Sequence, residues 1–165
     1  MDKQEIYSFL DDNKIAHEAI EHDAVYSMDE LGECELPHKE YDAKNLFIRD
    51  DKRNNYWLIT VRGNKKTDLK AFRKKFETRP IKFCDENELK EKLDLYPGAV
   101  SPFGLLNNKD GDVALVLDED FFKEKCLIGC HPNDNTATVF LDSNDLKDLI
   151  ESSGNKVIVA QIPVK

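Results

Sequence analysis

Ala43-Lys44-Asn45-Leu46-Phe47-Ile48-Arg49-Asp50, followed closely by Tyr56-Trp57-Leu58-Ile59-Thr60-Val61, is the stretch on which the fold turns. Lys44–Ile48 and Tyr56–Val61 are rich in β-branched, aromatic and other apolar residues, and the polar connection Arg49–Asn55 between them suits a hairpin. An antiparallel pair is therefore expected at the centre of the chain. It carries a cation and a carboxamide, Lys44 and Asn45, at the head of its first strand.

Working toward the N-terminus, His17–His22 alternates as a short strand should, and Gln4–Asn13 places Ile6, Phe9 and Leu10 at helical spacing before an Asp12-Asn13 stop. Ser27-Met28-Asp29-Glu30 has the pattern of a capping box and predicts a short helix start. Toward the C-terminus, Asp68–Phe76 reads as a helix facing inward through Leu69, Phe72 and Phe76, and Glu86–Leu93 as another with Leu89 and Leu93 four apart. Val113–Leu117 is a continuous apolar strand, and Asp118–Lys123 a short helix or turn. Cys126–Gly129 and Thr136–Leu141 are strands on either side of a turn, Ser143–Ser152 is a helix, and Val157–Ile162 is a last strand. Strands and helices mix without the regular alternation of a doubly wound fold. The expected class is α/β (α+β), with a mixed, largely antiparallel sheet surrounded by helices. No repeat or linker divides the chain, so residues 1–165 are expected to form one domain.

Composition agrees. Hydrophobic residues make up 40% of the chain, with nine Phe and one Trp, enough for a core and against disorder. No apolar run approaches the roughly 20 residues of a membrane helix. The first residues have no basic and apolar leader pattern. Cys34, Cys84, Cys126 and Cys130 form no CxxC pair, which argues against a zinc knuckle and a disulfide scaffold. The expected compartment is the reducing cytoplasm, with no membrane partner.

Charge is unevenly distributed. The chain carries −9, yet Arg62–Lys82 holds nine basic residues against Asp68 and Glu77, so that segment is +7 and the rest −16. A solvated helix surface would look like this; so would a local polyanion site with strong salt dependence.

The chemistry-bearing residues fall in three segments. Lys44 suits a phosphate or a developing oxyanion, being a compact charge with several donors, and it equally suits a strand edge with its head in water. Asn45, next along the strand, should face the opposite side. Gly98-Ala99-Val100-Ser101-Pro102 is a turn in which glycine permits unusual backbone angles and proline stiffens the exit; such a loop can fix backbone polar groups toward a ligand or simply turn the chain. His131 lies in Gly129-Cys130-His131-Pro132-Asn133-Asp134-Asn135, where it could be a general base, a ligand donor, a pocket wall or a structural histidine. Cys130 beside it invites a nucleophile reading, but adjacent side chains on extended chain seldom meet. There is no GxSxG elbow, no phosphate-binding glycine loop and no metal-ligating histidine pair. The three segments together suit a cleft for a polar, phosphate-bearing ligand.

As a set and in this order, Lys44-Asn45-Leu46-Phe47, the Gly98-to-Pro102 loop and the Gly129–Asn135 turn resemble the YbaK/ProX family of aminoacyl-tRNA deacylases, also found as the editing domain inserted in bacterial prolyl-tRNA synthetases. The resemblance spans essentially the whole chain. It implies hydrolysis of the ester joining a wrong amino acid to tRNA, without cofactor or metal, and with mischarged tRNA(Pro) as partner and prolyl-tRNA synthetase as a further one. The Lys44-Asn45 pair and the His-Pro-Asn-Asp-Asn turn resemble the branch that clears alanine from tRNA(Pro). Removal of cysteine or serine, or a non-catalytic tRNA-binding module, are the other readings. The roles implied are catalytic for Lys44, Gly98 and His131. Asn45, Ser101, Pro102, Gly129 and Asn133 would bind substrate, and Lys65, Lys66, Lys70, Arg73 and Lys74 would bind tRNA.

Overall fold

Eight strands lie in two sheets in the computed structural model of the chain, which describes residues 1–24, 37–63 and 65–165. The strands are β1 (His17–Glu21), β2 (Ala43–Asp50), β3 (Tyr56–Arg62), β4 (Ile81–Phe83), β5 (Val113–Asp118), β6 (Leu127–Cys130), β7 (Ala137–Asp142) and β8 (Val157–Ala160). The helices are α1 (Lys3–Asp12), α2 (Leu69–Phe76), α3 (Glu86–Leu93) and α4 (Ser143–Ser152). The capping box expected at Ser27–Glu30 lies outside the described residues.

Helix starts follow local chemistry. Asp2 caps α1 by accepting from the Glu5 amide at 2.9 Å while Glu5 reaches back to the Asp2 amide, and Asp85 with Glu88 does the same for α3. Ile6 and Leu10 of α1 are buried as their spacing requires, whereas Phe9 is only half-buried.

The larger sheet has the order β4-β2-β3-β5-β8, and the smaller β1-β7-β6. Pairings β2–β3, β2–β4, β1–β7 and β6–β7 are antiparallel, while β3–β5 and β5–β8 are parallel. The expected hairpin forms in register, with Asn45 opposite Thr60 and Lys44 opposite Val61. Two features depart from the sequence reading. The strands divide into two sheets, with β7 central in the smaller one, and among the described residues a parallel bridge between Asp42 and Gly129 joins them. And β4, a three-residue strand after Pro80, adds to the edge of β2 only at Ile48–Asp50. The Cys84 amide extends this pairing to the Phe47 carbonyl at 3.0 Å, and beyond it the outer edge of β2 at Ala43–Leu46 is left open by β4.

Both faces of the larger sheet are covered, which is why β2 and β3 read as continuous apolar runs. On one face Phe47, Leu58, Leu115 and Leu117 meet Ile6, Leu89, Leu93, Leu146 and Ile150 of the helices and Ile128, Val139 and Leu141 of the smaller sheet. On the other, Ile48, Ile59, Val61 and Val116 meet Phe72 of α2 and Ile162. Phe72 stacks on Phe76 with ring centroids 4.4 Å apart and takes the edge of Trp57 at 6.4 Å.

Between α3 and β5 the chain makes a 3-10 turn, Pro102–Asn107, whose Phe103 and Leu105 are fully buried. Gly104 sits there against Leu95 and Leu93: a Cβ would lie 2.5 Å from Leu95 Cδ1 and 3.3 Å from Leu93 Cβ. Gly104→Ala should therefore destabilise the protein by about 1–3 kcal/mol through overpacking. Thermal unfolding should show a Tm lowered by several degrees, and an unchanged Tm would mean that Leu95 moves aside freely.

Candidate functional site

The pleat of β2 sends its first polar side chains to opposite faces. Asn45 shares the face of Phe47. Its Nδ2 donates to the Val100 carbonyl at 3.1 Å, and its Oδ1 accepts from Thr60 Oγ1 at 2.7 Å. One carboxamide thus ties β2, β3 and the Gly98–Pro102 loop together. Gly98 takes φ +93°, a left-handed value that L side chains rarely adopt. Asn45 and Gly98 line a cavity of about 510 Å³, together with Phe47, Leu89, Pro97 and Val100.

Lys44 faces the α2 side. It lines a second cavity of about 590 Å³ with Lys66, Thr67, Asp68 and Lys70. Leu46 and Phe83 belong to the walls of both cavities, so the two adjoin at the open edge of β2.

Ser101 and Pro102 are buried beneath the loop. Ser101 Oγ accepts from the Phe103 amide at 3.2 Å and caps the 3-10 turn, where Pro102 takes the first position. Neither residue contributes to the wall of the Asn45 cavity. Their burial corrects the expectation of direct substrate contact: they shape the loop from behind. Asn133 is also turned inward, at φ +60°, with Nδ2 donating to the Met1 carbonyl at 3.0 Å. Its work is to hold the start of the chain against the core.

Gly129 lies on β6 at the bridge to Asp42, under the Phe140 ring; a Cβ there would come within 2.5 Å of Phe140 Cε1 and 2.8 Å of Asp42 Oδ1. Because the bridge is parallel, the chain runs on from it in one direction along both strands. Lys44-Asn45 and His131 therefore leave the junction on the same side. His131 Nδ1 is 2.8 Å from the Ala137 carbonyl, which can only accept, so Nδ1 carries the proton and Nε2 is left as an acceptor. Burial lowers the His131 pKa, with the neighbouring His22 ring adding to the effect, and the imidazole is neutral at neutral pH. The two rings meet edge-on at 6.1 Å.

Cys130 is buried, and burial pushes its thiol far above the ordinary range, which removes a thiolate nucleophile.

The basic segment is used unevenly. Lys65 is held by Asp118 at 2.7 Å and by Asp120, and so serves as an internal counter-ion, against the expectation that it contacts tRNA. Arg79 pairs with Asp51 at 2.8 Å. Lys66, Lys70, Arg73 and Lys74 are exposed and have no ion-pair partner among the described residues.

Asp42 went unnoticed in the sequence reading. It is 1% exposed, and neither carboxylate oxygen has a hydrogen-bond partner among the described residues. Burial raises its pKa to about 7, partly opposed by Lys39 and assisted by Glu40. The only sequence signal was an acid standing directly before an apolar strand.

The family model of the aminoacyl-tRNA editing domain matches residues 22–149. The chain is 38% identical to the prolyl-tRNA editing protein ProX of Acetoanaerobium sticklandii, over 93% of each chain. It is 32% identical to the mouse prolyl-tRNA synthetase associated domain-containing protein 1, over 88% of this chain and 87% of that protein. A solved structure described as a candidate trans-editing enzyme for prolyl-tRNA synthetase superposes with a TM-score of 0.74 at 18% identity, over 99% of this chain and 97% of that one. Among the described residues no helix is long and apolar enough to cross a membrane.

Asp42 gives a pH signature. Its folded pKa is raised above the unfolded value, so its contribution is fully present below about pH 4 and is lost as pH rises through about 7. Asp42→Asn, which stays neutral, should flatten that decline, worth up to about 4 kcal/mol. Urea unfolding at pH 4 and pH 8 measures it; an equal pH dependence in both proteins would place the titration elsewhere.

Proposed function

Since the chain belongs to the aminoacyl-tRNA editing domain family, we propose that it hydrolyses the ester of mischarged prolyl-tRNA, with alanine the amino acid removed. The observation that carries this reading is the pair of adjoining cavities at the edge of β2. One is mainly apolar and walled by Asn45 and the Gly98 loop, and the other is basic and walled by Lys44, Lys66 and Lys70. An aminoacyl-tRNA end has the matching parts in sequence: an amino acid, a ribose and a phosphate.

In this reading the amino acid enters the Asn45 cavity, the ribose sits at the shared rim of Leu46 and Phe83, and the terminal phosphate meets Lys44. Water attacks the ester carbonyl, the bond from that carbon to the ribose oxygen breaks, and the departing oxygen takes up a proton to regenerate the hydroxyl. The ester is already activated, so the protein's task is to hold the carbonyl and the water in place and to stabilise the oxyanion. Backbone groups of the Gly98 loop, made rigid by Asn45 and by the Ser101 cap, are suited to that task. Neutral His131 lines neither cavity, and its Nε2, as an acceptor, suits a partner for a hydroxyl or water. The family resemblance implies that the vicinal ribose hydroxyl helps orient the water.

A synthetase site built for proline cannot strongly reject alanine, because a missing apolar group costs only about 1–3 kcal/mol. A second site that accepts alanine and refuses proline by size completes the sieve. The tRNA would lie along Lys66, Lys70, Arg73 and Lys74, with Lys65 left to its carboxylates. Docking on prolyl-tRNA synthetase and a cytoplasmic location follow from the same reading.

Hydrolysis of Ala-tRNA(Pro), Cys-tRNA(Pro) and Pro-tRNA(Pro) by the purified protein is the direct test. Alanine should be released and proline spared, and Lys44→Ala should slow release by on the order of a hundredfold while leaving the fold intact. Preferential loss of cysteine would change the substrate, and no hydrolysis of any ester would end the enzymatic reading. Salt dependence checks the tRNA face separately. Lys66→Ala with Lys70→Ala should reduce the log–log salt slope of tRNA binding by about 1–2, whereas Lys65→Ala should leave it unchanged.

A further inference from the structure

Phe83 is 60% exposed, the most exposed of the large apolar side chains among the described residues. Its position is determined by β4. Ile81, two residues earlier and on the same face, is packed against the layer built on Phe72, while Phe83 extends past the end of that layer at the open edge of β2. Its backbone is anchored opposite Ile48, so the ring is held on a strand rather than carried on a loop.

The surroundings of the ring say what suits it. On one side lies the Asn45–Gly98 cavity, and on the other the basic cavity with Lys44, Lys66 and Lys70; Phe83 lines both. Thr67 also lines the basic cavity. It is 8% exposed, and its hydroxyl has no hydrogen-bond partner among the described residues. The cavity is lined by four lysines, Lys44, Lys66, Lys70 and Lys165, against one acid, Asp68, and an unpaired hydroxyl there has a proton to give a phosphate oxygen once its side chain turns toward the cavity. The segment is held in place by backbone pairing, with the Asp68 amide donating to the Pro163 carbonyl at 2.9 Å. An exposed aromatic ring beside a cationic, hydroxyl-bearing recess is the combination that binds single-stranded nucleic acid, a base stacking on the ring while the adjoining phosphate sits among the cations.

We propose that Phe83 is the stacking platform for an unpaired base at the 3′ end of the tRNA, with Thr67 and the Lys44, Lys66 and Lys70 ammonium groups receiving the phosphate beside it. The proposal rests on the deacylation reading and adds a positioning residue to it. By gripping the base, Phe83 sets where the ribose lies, and so where the ester enters the Asn45 cavity. Phe83 acts on the substrate's position and not on the reacting atoms. Its removal should therefore weaken substrate capture more than turnover.

Steady-state deacylation of mischarged tRNA is compared for the wild type, Phe83→Ala, Phe83→Leu and Phe83→Trp. In parallel, each protein is titrated with a short single-stranded RNA ending in CCA in which the terminal adenine is replaced by 2-aminopurine, whose fluorescence is quenched on stacking. Phe83→Ala and Phe83→Leu should raise KM about tenfold or more with kcat changed little, and should lose the quenching. Phe83→Trp should restore both. Because the ring is largely exposed, these variants should unfold at the wild-type temperature, which a melt verifies. Unchanged KM and unchanged quenching in Phe83→Ala would overturn the platform. If the wild type hydrolyses no ester, the titration still decides: Phe83-dependent quenching would uphold the platform while the deacylation reading falls, and Phe83-independent or absent quenching would overturn it.

Discussion

Side chains of a strand must alternate, and in β2 this constraint is applied between two apolar layers. Phe47 goes to the layer of α1, α3 and α4, and Ile48 to that of α2. With those two anchored, a register slip by one residue would exchange their layers and drive Asn45 and Lys44 each to the wrong face, so the faces of those two are determined as well. The carboxamide is delivered to the Gly98 loop and the ammonium to the basic recess. Two neighbouring polar residues thereby serve two different cavities, and the open edge of β2 is the place where those cavities meet.

Much of this was legible in the chain. The β2–β3 hairpin, α1, α2 and α3 announced themselves by apolar period, and α4 by its place after an apolar strand, whereas the Asp85–Glu88 cap of α3 was visible only in the structure. The opposition of Lys44 and Asn45 followed from strand geometry alone. What could not be read was long-range. Whether Ser101 and Asn133 face a cavity or the core depends on partners at Phe103 and Met1, and Asn133 and Met1 lie 132 positions apart. The same holds for Lys65, whose role is decided by Asp118 and Asp120 more than fifty residues away. Charge counting treats every lysine of a basic run alike, while folding sorts them. β4 escaped notice because three residues carry too little periodicity to register, and Phe83 with it.

The junction of the two sheets is sparing. A single bridge joins Asp42 to Gly129, and around it are gathered a carboxyl that prefers its proton, a glycine that cannot accept a Cβ, and a buried thiol. Each is tolerated only because the backbones approach closely there. From that close approach β2 and β6 run on in parallel, toward Lys44 and Asn45 on one strand and toward His131 on the other.

Asn45 has a consequence for how such a site can diversify. It is at once a wall of the cavity and the strut that holds Val100 to Thr60. A change there intended to alter the shape of the cavity would also release the loop, so the two roles cannot be varied independently. Leu89 and Pro97 line the same space and have no side-chain hydrogen bonds to lose. New preferences for the guest amino acid are open to drift at those positions, while position 45 is held by the architecture whatever the guest.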